Sequence, residues 1–291
     1  MSAPIWRAGR FAVDLAQPRV MGIVNVTPDS FSDGNPAITP ARAIALCERL
    51  LKEGADLLDI GGESSRPGAA PVAAEIELAR VRPVLEAAVG LGCPVSIDTS
   101  KAEVMQAALD LGVDIVNDVA ALRAPRALDV VGAHASCGVC LMHMRGTPQT
   151  MIREASYDDV VAEVRAFLGA RIEAAVSAGI ERTRIVVDPG VGFGKNAAQN
   201  LTVLERQEEL LALGVPLLVG WSRKSTLARL AGIGATPPVE RTPAQQASLV
   251  AASVVAATLA VQRGARIVRV HDVAATVAAL AVWRAASPTG R

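Results

Sequence analysis

The feature that most constrains this chain is a unit that keeps returning along it. A helix-like stretch closes on Gly, a short turn follows, and an apolar run ends in polar residues. Gly54-Ala-Asp leads into LLDIGG, Gly112-Val-Asp into IVND, and Gly264-Ala-Arg into IVRVH. Gly accepts the left-handed backbone that ends a helix, and short apolar runs between helices mark buried parallel strands. Eight such runs are found, at residues 20–26, 57–61, 95–99, 115–119, 139–143, 185–188, 217–220 and 267–271. Helix starts lie between them. Thr39-Pro40 is a cap followed by Pro, Ser100 with Glu103 fits a capping box, and Thr242-Pro243 with Gln245 fits another. Eight alternating units predict an α/β protein, a closed (β/α)8 TIM barrel formed by one domain over residues 1–291. An open doubly wound sheet is the structural alternative. It would want a dinucleotide or phosphate-binding turn after the first run, and NVTPDS at 25–30 is neither.

Composition narrows the partners. Lys plus Arg and Asp plus Glu both number 29, a formal net charge of +0, which argues against nucleic acid or an anionic membrane as partner. Residues 1–11 lack the apolar core of a secretory signal. The longest nearly apolar run, 249–261, is short of the ~20 residues of a membrane helix and reads as a helix of the core or of a subunit interface. Four cysteines in 291 residues make no disulfide framework. The expectation is a cytoplasmic protein acting on small molecules.

Each run ends in residues a core would not choose: Asn25, then Glu63 to Arg66, Asp98, Asn117-Asp118, His143, Asp188, Ser222 to Lys224, and Arg269 with His271. Asp272, Ser100 and Asp118 read as caps or turn residues. In a barrel the rest converge on one mouth, where catalytic groups are placed. Two carboxylates, Asp98 and Asp188, with Asn117 suit a flat heterocycle bearing several N–H groups, since a carboxylate accepts two parallel bonds from an amidine-like edge. Arg66, Arg223, Lys224, Arg269 and His271 suit an anion such as diphosphate. Asn25 with a few oxygens suits a Mg²⁺ that stays mostly hydrated and leans on substrate phosphates.

These residues lie in eight motifs: MGIVNVTPDSFSDG at 21–34, GGESSRPG at 61–68, SIDTSK at 96–101, Asn117-Asp118, LMHM at 141–144, DPGVGFGK at 188–195, SRKS at 222–225 and RVHDV at 269–273. Taken in that order, from about Met21 to Val273, the chain resembles the dihydropteroate synthase family. The resemblance implies a transferase of folate biosynthesis on a TIM barrel. It would condense 6-hydroxymethyl-7,8-dihydropterin diphosphate with p-aminobenzoate, releasing diphosphate and 7,8-dihydropteroate, with Mg²⁺ as cofactor and a homodimer as assembly. It implies a pterin site of Asp98, Asn117, Met142, Asp188, Phe193, Gly220 and Lys224. It implies a diphosphate site of Asn25, Arg66, Arg269 and His271, with Asn25 also the metal ligand. Phe31, Ser65, Pro67, Phe193 and Ser225 would hold p-aminobenzoate, with Asp33 on the first loop. Asp98, Lys224, Arg269 and His271 would be the catalytic set.

Three departures from the family pattern stand out. Ser65 replaces an expected Thr, Asn35 an expected Gly, and the segment 241–252 is about two helical turns longer than expected. Other motifs read more plainly. Cys137 and Cys140 form a C-x-x-C, but no second pair lies at zinc spacing, so both are expected to pack as small hydrophobes. GVGFGK at 190–195 is one residue short of a P-loop and lacks Ser or Thr after the Lys. His143 is expected to support the site or to pack. A pterin-dependent methyltransferase or a non-catalytic pterin-binding paralogue are the other readings. The first has no use for SRKS, and the second should have lost the anion ligands.

Overall fold

The computed structural model describes residues 4–27, 39–234 and 236–286. Two short strands come first, β1 (Ile5–Ala8) and β2 (Phe11–Asp14), and a third, β3 (Arg19–Asn25), opens the barrel. Then α1 (Pro40–Lys52), β4 (Leu57–Gly61), α2 (Ala74–Ala88), β5 (Val95–Asp98), α3 (Ala102–Asp110) and β6 (Ile115–Asp118) alternate. They continue as α4 (Ala127–Ala133), β7 (Gly138–Met142), α5 (Val160–Ser177), β8 (Ile185–Asp188), α6 (Ala197–Glu205) and β9 (Leu217–Val219). Two helices, α7 (Ser225–Leu230) and α8 (Pro243–Gln262), precede β10 (Ala265–Val270), and α9 (Val273–Ala286) follows. The eight strands β3 to β10 form one closed barrel in chain order. Its seam is the parallel pairing of β10 with β3, where Ile267 lies opposite Arg19 and Val270 opposite Gly22.

The eight expected runs are thus the eight barrel strands. The three glycines of the repeat, Gly54, Gly112 and Gly264, all have the left-handed backbone expected of a helix terminator, with φ of 100°, 91° and 91°. Thr39 accepts from the Arg42 N–H with Pro40 at the first helical position. Thr242 and Gln245 complete a full capping box. Ser100 and Glu103 do not. Helix α3 starts one residue late, capped at Lys101 without a side-chain bond, and Ser100 faces the Asp118 carboxylate instead. Helix α8 is also longer than its apolar run. At 20 residues it is long and apolar enough, by length and composition alone, to cross a membrane. Here it lies on the barrel, burying Leu249, Ser253, Ala256, Ala257, Ala260 and Val261 and touching α7, α9 and β10.

Side chains alternate across each strand, so residues two apart share the barrel lumen. The lower lumen is apolar: Met21, Leu57, Ile115, Cys140, Val186, Leu218 and Ile267 form one buried cluster. The β1–β2 hairpin, which sequence reasoning missed, completes that cluster with Trp6, Ala8, Val13 and Leu15. Trp6 Nε1 donates to the Arg184 carbonyl at 2.9 Å, and Arg10 grips Asp114 through two guanidinium nitrogens at 2.9 Å each. The amino-terminal end of the barrel is therefore covered by the hairpin.

Candidate active site

Two residues up from that apolar layer, four strands turn polar. Leu57 is followed by Asp59, Ile115 by Asn117, Val186 by Asp188 and Ile267 by Arg269. Asp98 sits beside them on β5, its Cα opposite both Gly61 and Asn117. The barrel thus brings together Asp98, Asn117, Asp188 and Arg269 as expected from the strand ends, and adds Asp59.

Asp59 was not among the expected site residues, although it is fully buried at the centre of the cluster. Its Oδ2 accepts from Arg269 Nε and from Asn117 Nδ2, the latter at 3.0 Å. Arg269 Nη2 donates to Asp98 Oδ2 at 2.7 Å, so one guanidinium holds two carboxylates. Burial pushes Asp98 up to about 7; Arg269 opposes this and the neighbouring Asp59 charge adds to it. The Asn117 amide nitrogen is committed to Asp59, which leaves its carbonyl oxygen as the group able to accept from a ligand N–H. Asp188 closes the far side. Its Oδ1 accepts from the Gly190 N–H at 2.7 Å, and burial raises its carboxyl above the usual range.

One wall of the pocket comes from the glycine-rich turn after β8. Gly190 has φ +67°, and a Cβ there would lie 1.8 Å from the His143 carbonyl oxygen, so only glycine fits. This turn carries Phe193, which packs with Met142, Met144 and Met151. Lys224 Nζ lies 4.1 Å from the centroid of the Phe193 ring, and burial lowers its ammonium to about 8. Lys195 ends the same turn. Its buried ammonium donates to the carbonyls of Gly190 (3.0 Å) and Phe193 (3.1 Å) and meets His143 Nδ1 at 2.8 Å. Burial brings Lys195 down to about 7 and His143 to about 2, so His143 is a neutral acceptor that supports the wall.

The cationic set divides. Arg269 and His271 stand at the end of β10, and Gly220 follows β9 with its open face toward the Arg269 side chain. Arg223, with a left-handed φ of 58°, lies near His271 but is committed to Asp272, at 2.6 and 3.0 Å. Asp272 was expected to act only as a cap. Arg66, Ser65 and Pro67 belong to the loop after β4, where Arg66 and Pro67 are exposed. That loop is held at its base: Glu63 accepts from the Val72 N–H at 2.8 Å, and Lys101 bridges Glu63 and buried Glu77 at 2.6 Å each. Ser225 opens α7, exposed. Asn25 ends β3. Phe31, Asp33 and Asn35 lie outside the described residues.

No group of three His, Cys, Asp or Glu side chains able to hold a metal occurs among the described residues. A single amide oxygen such as that of Asn25 fits a hydrated Mg²⁺ whose other ligands come from a phosphate-bearing substrate. The C-x-x-C pair does not form a site. Cys140 lies in the lumen cluster and Cys137 in the outer one between sheet and helices. Burial pushes the Cys137 thiol up to about 12 and Cys140 well above its ordinary value.

A family model described as pterin binding enzyme matches residues 21–271. The chain is 50% identical over 290 residues to the dihydropteroate synthase of Neisseria meningitidis serogroup B, and the match covers 98% of each. It superposes on Xanthomonas albilineans dihydropteroate synthase with 4-aminobenzoic acid at a TM-score of 0.88 and 50% identity, covering 99% of this chain and 100% of that one. The same enzyme in complex with 7,8-dihydropteroate gives 0.84 and 49%, covering 98% and 100%.

Proposed function

From a chain that belongs to the pterin-binding enzymes, and among them to the dihydropteroate synthases, we infer how the barrel mouth carries out the reaction. The enzyme joins 6-hydroxymethyl-7,8-dihydropterin diphosphate to p-aminobenzoate. The arylamine nitrogen bonds to the pterin methylene carbon, the carbon–oxygen bond breaks, and diphosphate leaves with the electron pair. The nitrogen then sheds its proton, giving 7,8-dihydropteroate.

The observation that carries the assignment of roles is the polar layer of the lumen, where Asp59, Asp98, Asn117 and Asp188 meet Arg269, with Lys224 and His271 beside it. Asp188 and the Asn117 carbonyl accept from the guanidine-like end of the pterin, whose ring lies against Met142, Phe193 and Gly220. Asp98 lies beside the methylene-bearing ring. As the bond breaks, positive charge grows on the pterin, and a fixed carboxylate stabilises it most in the transition state. Arg269, His271 and Arg66 meet the negative charge growing on the diphosphate, and Lys224 bonds to the pterin edge. Phe31, Ser65, Pro67, Phe193 and Ser225 receive p-aminobenzoate. A neutral arylamine needs no strong base, and none is assigned. Asn25 would hold Mg²⁺, which would supply countercharge to the diphosphate.

The whole reaction belongs to this one barrel domain, in the cytoplasm. The assembly is a homodimer built on α8 and α9. Ala244, Ala247, Ala251 and Val255 form an exposed small apolar stripe on α8, and Val282 on α9 is 70% exposed.

The test is diphosphate release by the purified protein with the pterin diphosphate and Mg²⁺, with and without p-aminobenzoate. Release that requires p-aminobenzoate and yields dihydropteroate is expected. Pterin binding without such turnover would overturn these roles. Sedimentation at micromolar concentration tests the dimer, and Val255→Glu should yield monomers.

A further inference from the structure

Ser222 and His271 stand at the ends of neighbouring strands and are joined twice. The His271 backbone N–H donates to Ser222 Oγ at 3.1 Å, and the same Oγ lies 3.0 Å from His271 Nδ1. The next residues are joined as well, through the Arg223–Asp272 ion pair, and the Arg223 N–H donates to Ser253 Oγ at 2.9 Å. The two turns are thus latched side by side, and Ser222 is buried within the latch.

A hydroxyl has one proton and two acceptor sites. The His271 backbone N–H occupies one acceptor site. If Nδ1 carried a proton, it would occupy the second, and the Ser222 proton would have no acceptor among the described residues. If Nδ1 is bare, the buried hydroxyl donates to it and both Ser222 Oγ and Nδ1 are satisfied. The imidazole proton then sits on Nε2, which has no partner among the described residues. The surroundings favour a neutral ring. Burial, with Arg223, Arg269, Arg66 and Lys224 nearby, holds His271 well below its ordinary value.

We propose that Ser222 is a positioning residue that fixes His271 in its Nε2–H tautomer, so that a neutral imidazole offers one N–H to the departing diphosphate. This rests on the reading of His271 as a diphosphate ligand. It makes His271 a hydrogen-bond donor instead of a source of protons, and it explains why SRKS begins with a hydroxyl residue. His271 is pre-aimed by its partner, as histidine tautomers commonly are.

The experiment is a long-range proton–nitrogen correlation spectrum of the protein labelled in histidine. The chain has three histidines, and His271→Gln identifies the signal. The expected spectrum at pH 7 has a bare Nδ1 and a protonated Nε2. Ser222→Ala should shift it toward the tautomer mixture of free histidine. It should also raise KM for the pterin diphosphate about tenfold, the size of one lost hydrogen bond. Affinity for a pterin lacking diphosphate should be unchanged. Ser222→Thr, which keeps the hydroxyl, should restore the spectrum, and this guards against a folding artefact in the alanine variant. An Nδ1–H tautomer or an imidazolium at pH 7 in an active enzyme would overturn the proposal. So would a Ser222→Ala variant with altered tautomer and unchanged KM. Absence of p-aminobenzoate-dependent diphosphate release in the wild type would instead remove the underlying assignment, while the tautomer reading needs no substrate.

Discussion

Asp59→Asn is the substitution whose effects separate packing from electrostatics. The Asn side chain keeps the shape and one acceptor but loses the charge. Asp98 is then the one carboxylate left on Arg269, and a buried ion pair becomes a bond from a cation to a neutral amide, a loss of about 2–3 kcal/mol of stability. For a chain of this size that lowers Tm by about 5 °C or more. A loosened Arg269 should reduce kcat/KM on the order of 10²-fold, as for removal of one donor to developing negative charge. A purely structural residue could do both. The third effect is particular to the charge. Asp98 titrates at about 7 partly because Asp59 repels its ionised form. Two carboxylates on one guanidinium stand roughly 6 Å apart, which at an effective permittivity of about 20 is worth nearly 3 kcal/mol, or about two pH units. Catalysis needs Asp98 ionised, so kcat/KM for the pterin diphosphate should fall below about pH 7 in the wild type. In Asp59→Asn this acid limb should move down by about one to two pH units. The assay is initial-rate diphosphate release between pH 5 and 9, with Asp98→Asn as the control that abolishes the limb. An unmoved limb in Asp59→Asn would refute the coupling, and a wild-type kcat/KM would refute the anchoring.

Lys195→Met should loosen the Phe193 wall and raise KM for both substrates. It should also change how stability varies with pH. Lys195 is depressed from 10.5 to about 7 in the fold, so between those values the unfolded chain holds a proton the folded one has released. Wild-type stability therefore gains from this group as pH rises through the window, by at most about 1.4 kcal/mol per unit; urea unfolding at pH 7 and 9 should show Lys195→Met without that gain. Parallel profiles would show that the ammonium is not perturbed. Chelation should depress diphosphate release and Mg²⁺ should restore it, while binding of a diphosphate-free pterin, followed by calorimetry, stays constant. Cys137→Ser should keep activity within about twofold, since a buried thiol with no partner site does no chemistry; a lost activity or bound zinc would reopen the redox or metal reading.

Much of this was legible in the chain. The repeat exposed all eight barrel strands, because a buried parallel strand must be apolar and must end where its helix begins. Asp98, Asn117, Asp188 and Arg269 were visible as strand-end polar residues. Asp59 was not, because it lies inside the LLDIG run and not at its end. The signal was there as spacing: Asp59 follows Leu57 by two, as Asn117 follows Ile115 and Asp188 follows Val186. Strand pairing is needed to know that these steps point to one lumen. The β1–β2 hairpin escaped for another reason. Its two strands lie outside the alternating strand–helix repeat, and what orders Trp6 is its seat under the barrel. Arg223 looked like a ligand for an anion, since nothing in SRKS reveals that Asp272 lies within reach. The misplaced capping box at Ser100 reflects a one-residue shift in where α3 begins.

Arg269 lies 210 residues along the chain from Asp59 and 171 from Asp98. During synthesis both carboxylates therefore emerge long before the cation that neutralises them, and β3 waits longer still for β10. Until then the nascent chain exposes an unpaired strand edge beside two unneutralised acids, a species prone to association and to chaperone capture. When β10 emerges, one event zips the ring shut, neutralises the acids and creates the catalytic mouth. A ligand occupying that mouth would hold the ring closed, so substrate availability could bear on how much of the newly made protein survives.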